Sequence, residues 1–143
     1  MGINFLKSFI VTFVTMRFTL GKEEKLKSKT AIEQLFAEGN RIKKFPLQLV
    51  YLKNMHTSEF PIKVGFTVPK RSIKLAVNRN RIKRIMREVY RKNKYLFSEK
   101  LNEPYVFMFI YMSNEELKYE DLDRSLLKIC DKFSFKISED EQN

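Results

Sequence analysis

Cysteine and histidine each occur once in this chain of 143 residues, as Cys130 and His56, and tryptophan does not occur at all. A lone thiol closes no intramolecular disulfide, and one Cys with one His makes no zinc cluster. The two could in principle form a Cys–His dyad. Neither sits in a nucleophile motif, and a structural or solvated role is the simpler reading. Glycine and proline are also scarce, four of each, against 13 Phe and 6 Tyr. With 43% hydrophobic residues, that composition excludes a disordered or low-complexity chain and suits one compact domain. No Gly-rich phosphate loop, internal repeat or charge-run linker is present. Acids are outnumbered, 17 Asp and Glu against 28 Lys and Arg, which leaves a net charge of +11. An excess of this size points to a polyanionic partner, nucleic acid or an anionic membrane surface. Eleven of the cations lie between Lys70 and Lys94, where Glu88 is the one acid, so +10 of the charge is local.

Long apolar runs are missing as well. Residues 3–20 are apolar but interrupted by Lys7 and Arg17, and only nine residues separate those charges. A bilayer span needs about 20. Lys7 and the stretch after it resemble a weak signal peptide, yet no small-x-small cleavage site follows. Three readings stay open: a membrane anchor, a secretory signal, or an extension ahead of a true start at Met16. The last is favoured because domain-like sequence begins a few residues later. The expected organisation is an extension over 1–19, one domain over 20–137 and an acidic tail over 138–143.

Within the domain, Thr30 and Glu33 read as a capping box opening a first helix, with Ile32, Leu35 and Phe36 at core spacing. Gly39 suits the position just past the helix end. Leu47, Leu49 and Tyr51 alternate with Gln48 and Val50 as in a strand, and Asn54–Ser58 is a turn cluster. Ile62, Val64, Phe66 and Val68 alternate in a second strand ended by Pro69, and the two strands are expected to pair antiparallel. Residues 104–112 are almost unbroken apolar sequence, as for a central strand covered on both faces. Tyr119 opens a last helix with acids in its first turn and a core stripe of Leu122, Leu126, Ile129, Cys130 and Phe133.

The long helix, expected over 77–97, is two-faced. Ile82, Ile85, Met86, Val89 and Leu96 fall within about 100° of arc, and Arg79, Asn80, Lys83, Arg84, Arg87, Arg91 and Lys94 occupy the next 140° or so. Like charges four residues apart destabilise an isolated helix, so a bound polyanion is the natural compensation. Lys70, Arg71 and Lys74 precede the helix N-terminus, an end that favours phosphate. A solvated basic face is the plainer alternative.

Residues 76–90, Ala-Val-Asn-Arg-Asn-Arg-Ile-Lys-Arg-Ile-Met-Arg-Glu-Val-Tyr, resemble the signature of the bacterial ribonuclease P protein subunit, built around Arg-Asn-Arg-x-Lys-Arg. The resemblance runs from about Leu20 to Phe135. It takes in Lys-Leu-Lys at 25–27, the Phe36–Gly39 helix end, Gly65-Phe-Thr-Val-Pro-Lys-Arg71 and the final amphipathic helix. Two positions depart from the pattern: Lys74 stands where Gly is common, and Ile32 where Phe is frequent.

The resemblance implies an α+β two-layer sandwich (ribosomal protein S5 domain 2-like) with a mixed sheet of about four strands, three helices and a left-handed βαβ crossover. The expected order is α-β-β-(β)-α-β-α. It also implies a cytoplasmic ribonucleoprotein that removes the 5′ leader of precursor tRNA. In it the RNA subunit holds Mg2+ and carries the catalytic groups, and the protein supplies no catalytic residue and no metal site. The expected partners are the RNA subunit, one to one, and precursor tRNA, with no membrane and no protein partner. Lys70, Arg71, Arg79, Asn80, Arg81, Lys83, Arg84, Arg87 and Arg91 would face the RNA subunit and tRNA. Ile32, Phe36, Tyr51, Val64 and Phe66 would line a cleft for the single-stranded leader, although Val64 and Phe66 read equally well as core. A small basic ribosomal protein is the rival reading, and a membrane-surface protein the third.

Overall fold

The computed structural model describes residues 20–21, 24–54 and 60–142. The apolar extension, the turn cluster over 55–59 and His56 therefore lie outside the described residues. The elements run α1 (Lys29–Glu38), β1 (Asn40–Lys44), β2 (Leu47–Lys53), β3 (Ile62–Thr67), α2 (Ala76–Ser98), β4 (Tyr105–Tyr111) and α3 (Tyr119–Gln142). The strands form one mixed sheet in the order β1-β2-β4-β3. β4 is antiparallel to β2 and parallel to β3, and α2 makes the β3–β4 crossover.

The expected pairing of β2 with β3 is corrected here, because β4 inserts between them. β4 can hold the centre since both its faces are apolar, Tyr105, Phe107, Phe109 and Tyr111 on one and Val106 and Met108 on the other. β1 went unread in the sequence. Only Ile42 in Asn40–Lys44 is buried, so the strand carries no apolar alternation. Its register with β2, Ile42 opposite Leu49, comes from the hairpin over Phe45-Pro46.

The two faces of the sheet carry separate cores. The larger contains Leu49, Tyr51, Val64, Phe107 and Phe109 of the sheet with Ile82, Met86, Val89, Tyr90 and Phe97 of α2 and Leu122, Leu126, Ile129 and Phe133 of α3. Aromatic edges meet faces throughout it: Tyr51 and Phe133 are 5.0 Å apart, Phe107 and Phe133 5.2 Å, and Phe109 and Tyr90 5.5 Å. The smaller core joins Leu26 and Leu35 to Val50, Val106 and Met108 beneath α1.

Helix ends differ from the sequence reading in two respects. Ser28 is the N-cap of α1, its Oγ accepting the Ala31 N–H at 3.3 Å, so Thr30 lies inside the helix and the Thr30–Glu33 capping box is not formed. Gly39 does end the helix, but with φ −69° and ψ 151° instead of the left-handed conformation. Its need for glycine is steric: a Cβ there would lie 2.4 Å from the Leu35 carbonyl oxygen and 2.8 Å from Val50 Cγ1. In α2, Leu96 is exposed and Tyr90 and Phe97 fill the core in its place. α3 continues to Gln142, which puts the acids of 139–140 on its last turns.

Lys94 is the clearest departure from the expected cationic face. Its Nζ lies 2.8 Å from Glu24 Oε1, with side chains only 5% and 7% exposed. Glu24 Oε2 also accepts the Gly21 N–H at 2.9 Å. The N-terminal segment crosses α2 here and covers the β3 edge, where the Leu26 N–H reaches the Val64 carbonyl at 2.9 Å. Removing one partner of a buried pair strands a charge, so Lys94→Ala is expected to cost about 3–5 kcal/mol. The Lys94→Met, Glu24→Leu double variant should recover most of that loss in urea unfolding. A double variant as unstable as the single one would show that the loss is not due to the stranded charge.

Candidate nucleic-acid interface

The site begins where β3 ends. After Thr67 the chain turns at Pro69, whose carbonyl accepts the N–H groups of Ser72 and Ile73 at 3.1 and 3.2 Å, and buried Ile73 anchors the loop. Lys70, Arg71 and Lys74 are left exposed. None of the described non-glycine residues has a positive φ, so Lys74 occupies its position without the conformational freedom of glycine. Leu75 is the N-cap of α2 with no side-chain hydrogen bond, and the first turn carries no acid. Uncapped N–H groups and the helix dipole therefore add partial positive charge to the three cations.

Along α2 the expected cations divide into different roles. Arg79 braces the approach loop, its Nη1 donating to the carbonyls of Ile73 at 2.9 Å and Lys74 at 2.7 Å. Arg81 pairs with Glu116 at 2.9 Å, not with a group of its own helix. Tyr111, fully buried, holds that loop from both sides of Glu116: its hydroxyl donates to the Glu115 carbonyl and accepts the Leu117 N–H at 3.1 Å. Arg91 pairs with Glu88 at 2.5 Å, and this contact holds the Glu88 carboxyl below its ordinary range. Asn80, Arg84 and Arg87 are exposed and Lys83 is half-buried, and none of the four forms an ion pair or hydrogen bond with the described residues. Lys83, Arg84 and Arg87 make the open cationic surface of the helix, and Lys70 and Arg71 are exposed in the loop that leads into it.

The five expected cleft residues do not come together. Ile32 and Phe36 lie on α1, over one face of the sheet. Tyr51, Val64 and Phe66 belong to the other face, in the core beneath α2 and α3. Tyr51 is 4% exposed and Val64 2%, and Phe66 stacks on Phe109 at 5.9 Å. Burial pushes the Tyr51 hydroxyl up to about 12. The separation follows from strand parity: residues of β2 on the α1 side are even-numbered, and Tyr51 is odd.

What lies on the α1 side follows from the register. Lys43 pairs with Gln48, Gln48 with Ile110, and Ile110 with Thr67, so these four form one row across all four strands. The next row is Arg41, Val50, Met108 and Gly65. α1 covers Val50 and Met108, while Ile110 and Thr67 stay half-exposed and Lys43 exposed. Gln48 is 5% exposed, and its amide makes no hydrogen bond with the described residues. Phe36 is 39% exposed at the rim, with the Arg41 guanidinium 5.9 Å from its ring centre. Beside α1 the sheet thus leaves a strip that carries the Gln48 amide, the apolar Ile110 and, at its β1 end, the Lys43 cation, and that begins at the strand end leading into the Lys70–Lys74 loop. The alternation of β2 contained this signal, but only the position of α1 says which parity faces it.

Among the described residues no group of three or more His, Cys, Asp or Glu side chains that could hold a metal ion comes together. Cys130 is buried in the large core, and burial raises its thiol to about 11, far from a thiolate at neutral pH. No helix among the described residues is long and apolar enough to cross a membrane.

Comparison with known proteins places this geometry. The ribonuclease P family model matches residues 20–134. The ribonuclease P protein component of Porphyromonas gingivalis is 33% identical over 115 residues, 78% of this chain and 83% of that protein. The one from Chlorobaculum tepidum is 39% identical over 85 residues, 57% and 55% of the two chains. The solved RNase P protein of Staphylococcus aureus, 20% identical, superposes with a TM-score of 0.60 over 74% of this chain and 94% of its own, and so shares its fold. With the Arg79–Arg84 motif opening α2 and the match running from the N-terminal strap to α3, the chain belongs to the ribonuclease P protein family.

Proposed function

We propose that the open face of α2 binds the RNA subunit of ribonuclease P and that the groove between α1 and the sheet holds the 5′ leader of precursor tRNA. As a ribonuclease P protein component, the chain is the protein subunit of a ribonucleoprotein endoribonuclease. The observation that carries the reading is the division of labour on α2. Arg79 and Arg81 are spent on protein groups, while Lys83, Arg84 and Arg87 present charge with no carboxylate partner among the described residues. Phosphates supply the missing counter-charge. Mg2+ and the cleavage chemistry belong to the RNA subunit. The protein's share is to bind, to orient the leader and to lower electrostatic repulsion between the two RNAs, one protein to one RNA, with no other protein needed.

A groove lined by Thr67, Ile110, Gln48 and Lys43 suits single-stranded RNA. Apolar surface and the Phe36 ring accept base faces, and the Gln48 amide can pair with a base edge. The test is reconstitution: added to a bacterial ribonuclease P RNA at low Mg2+, the protein should stimulate leader removal, whereas rigorously RNA-free protein should cleave nothing. Absence of stimulation would favour a ribosomal type of RNA binder. For the groove, Phe36→Ala is expected to weaken precursor tRNA binding roughly 10-fold, about one stacked base, and to leave mature tRNA binding unchanged. Equal losses for both ligands would remove Phe36 from the leader site.

A further inference from the structure

We propose that the β1–β2 turn is a second stacking site for single-stranded RNA, with Phe45 as the platform and Lys43 and Lys44 as phosphate contacts. It would take leader nucleotides that emerge from the groove. The proposal rests on the reading that the leader lies in that groove.

Phe45 is 72% exposed, the most exposed large apolar side chain among the described residues. The fold does not need it there. Neighbouring Pro46 is buried and supplies the anchor, its carbonyl accepting the Met112 N–H at 2.7 Å. The Lys44 carbonyl accepts the Ser125 hydroxyl from α3. The turn backbone is thus held on both sides of Phe45 by elements of the core, and the ring is displayed on a fixed tip. An aromatic platform held in this way loses little freedom when a base stacks on it.

Position and charge identify the occupant. The row Thr67–Ile110–Gln48–Lys43 starts at the strand end that feeds the α2 loop and finishes at β1, two residues before Phe45. With strands about 4.8 Å apart, the row is roughly 14 Å long, a path for a few extended nucleotides. Between Gly39 and Leu52 the chain contains Arg41, Lys43 and Lys44 and no acid. Lys43 and Lys44 form no ion pair with the described residues. Met112, 40% exposed and bonded to the turn, extends the apolar tip. An apolar protein partner would be poorly matched to this cationic collar. A polyanion with exposed ring faces fits both features, since base stacking is indifferent to sequence and the phosphates answer the lysines.

The test uses the reconstituted holoenzyme and two precursor tRNAs, one with a leader of about two nucleotides and one of about ten. Phe45→Ala should weaken binding of the long-leader substrate roughly 5-fold or more and leave the short-leader substrate unchanged. Phe45→Trp should restore it, and neither variant should shift the melting temperature of the free protein. Phe36→Ala serves as the control for the groove. If it discriminates precursor from mature tRNA but Phe45→Ala has no leader-length effect, the turn proposal fails alone. If neither variant responds to the leader, the groove reading fails with it. Reduced self-association of Phe45→Ala in sedimentation, with RNA binding intact, would make the turn a contact between copies of the chain and overturn the proposal.

Discussion

Replacing Lys83, Arg84 and Arg87 together by Ala should weaken binding to the ribonuclease P RNA about 100-fold near 0.15 M salt, because each neutralised phosphate contributes roughly 0.7 log units there. The more telling readout is the salt dependence. The slope of log affinity against log salt should fall by roughly 0.7–0.9 per residue, or some 2 to 3 in the triple variant. These side chains make no bond to the described protein, so the melting temperature should hold. Arg79→Ala is expected to behave differently. It releases the Ile73 and Lys74 carbonyls, so it should loosen the approach loop and lower affinity with a smaller change in slope. An unchanged slope in the triple variant would show that this face of α2 meets only solvent.

Tyr51→Ala should be damaging for another reason. The ring is buried against Phe133 and Tyr105, and deleting it opens a cavity in the large core. Large-to-small aromatic replacements of this kind cost about 3–5 kcal/mol, which at this size lowers the melting temperature by roughly 10–20 °C. Precursor and mature tRNA should then lose affinity equally, since the defect lies in the fold and not in a leader contact. A stable variant that binds only precursor tRNA less well would return Tyr51 to the leader site. Phe36 on α1 and Tyr51 on β2, aromatic residues on opposite faces of the sheet, are thus predicted to give different signatures.

The sequence by itself determined the basic helix, its signature, the central apolar strand and the stripe of α3. Each of these is a local pattern whose period or composition states its own environment: Ile82, Met86 and Val89 recur at helical spacing, and residues 105–111 are apolar on both parities. The charge count likewise places the excess cations in one segment, Lys70 to Lys94. Only the tertiary structure decided which strands are neighbours, because β2 and β3 look alike locally and β4, some forty residues later than β3, separates them. It also decided the roles of the cations. Lys94 lies on the same side of α2 as the open cations but beneath the N-terminal strap, and the partners of Arg79 and Arg81 come from the approach loop and from the loop carrying Glu116. Last, it decided which parity of β2 faces α1, and with it that Gln48 lies on the α1 side and Tyr51 in the large core. Alternation fixes that the two residues point apart, but the direction depends on where a separate helix packs, which is a long-range contact and leaves no mark in the strand's own sequence.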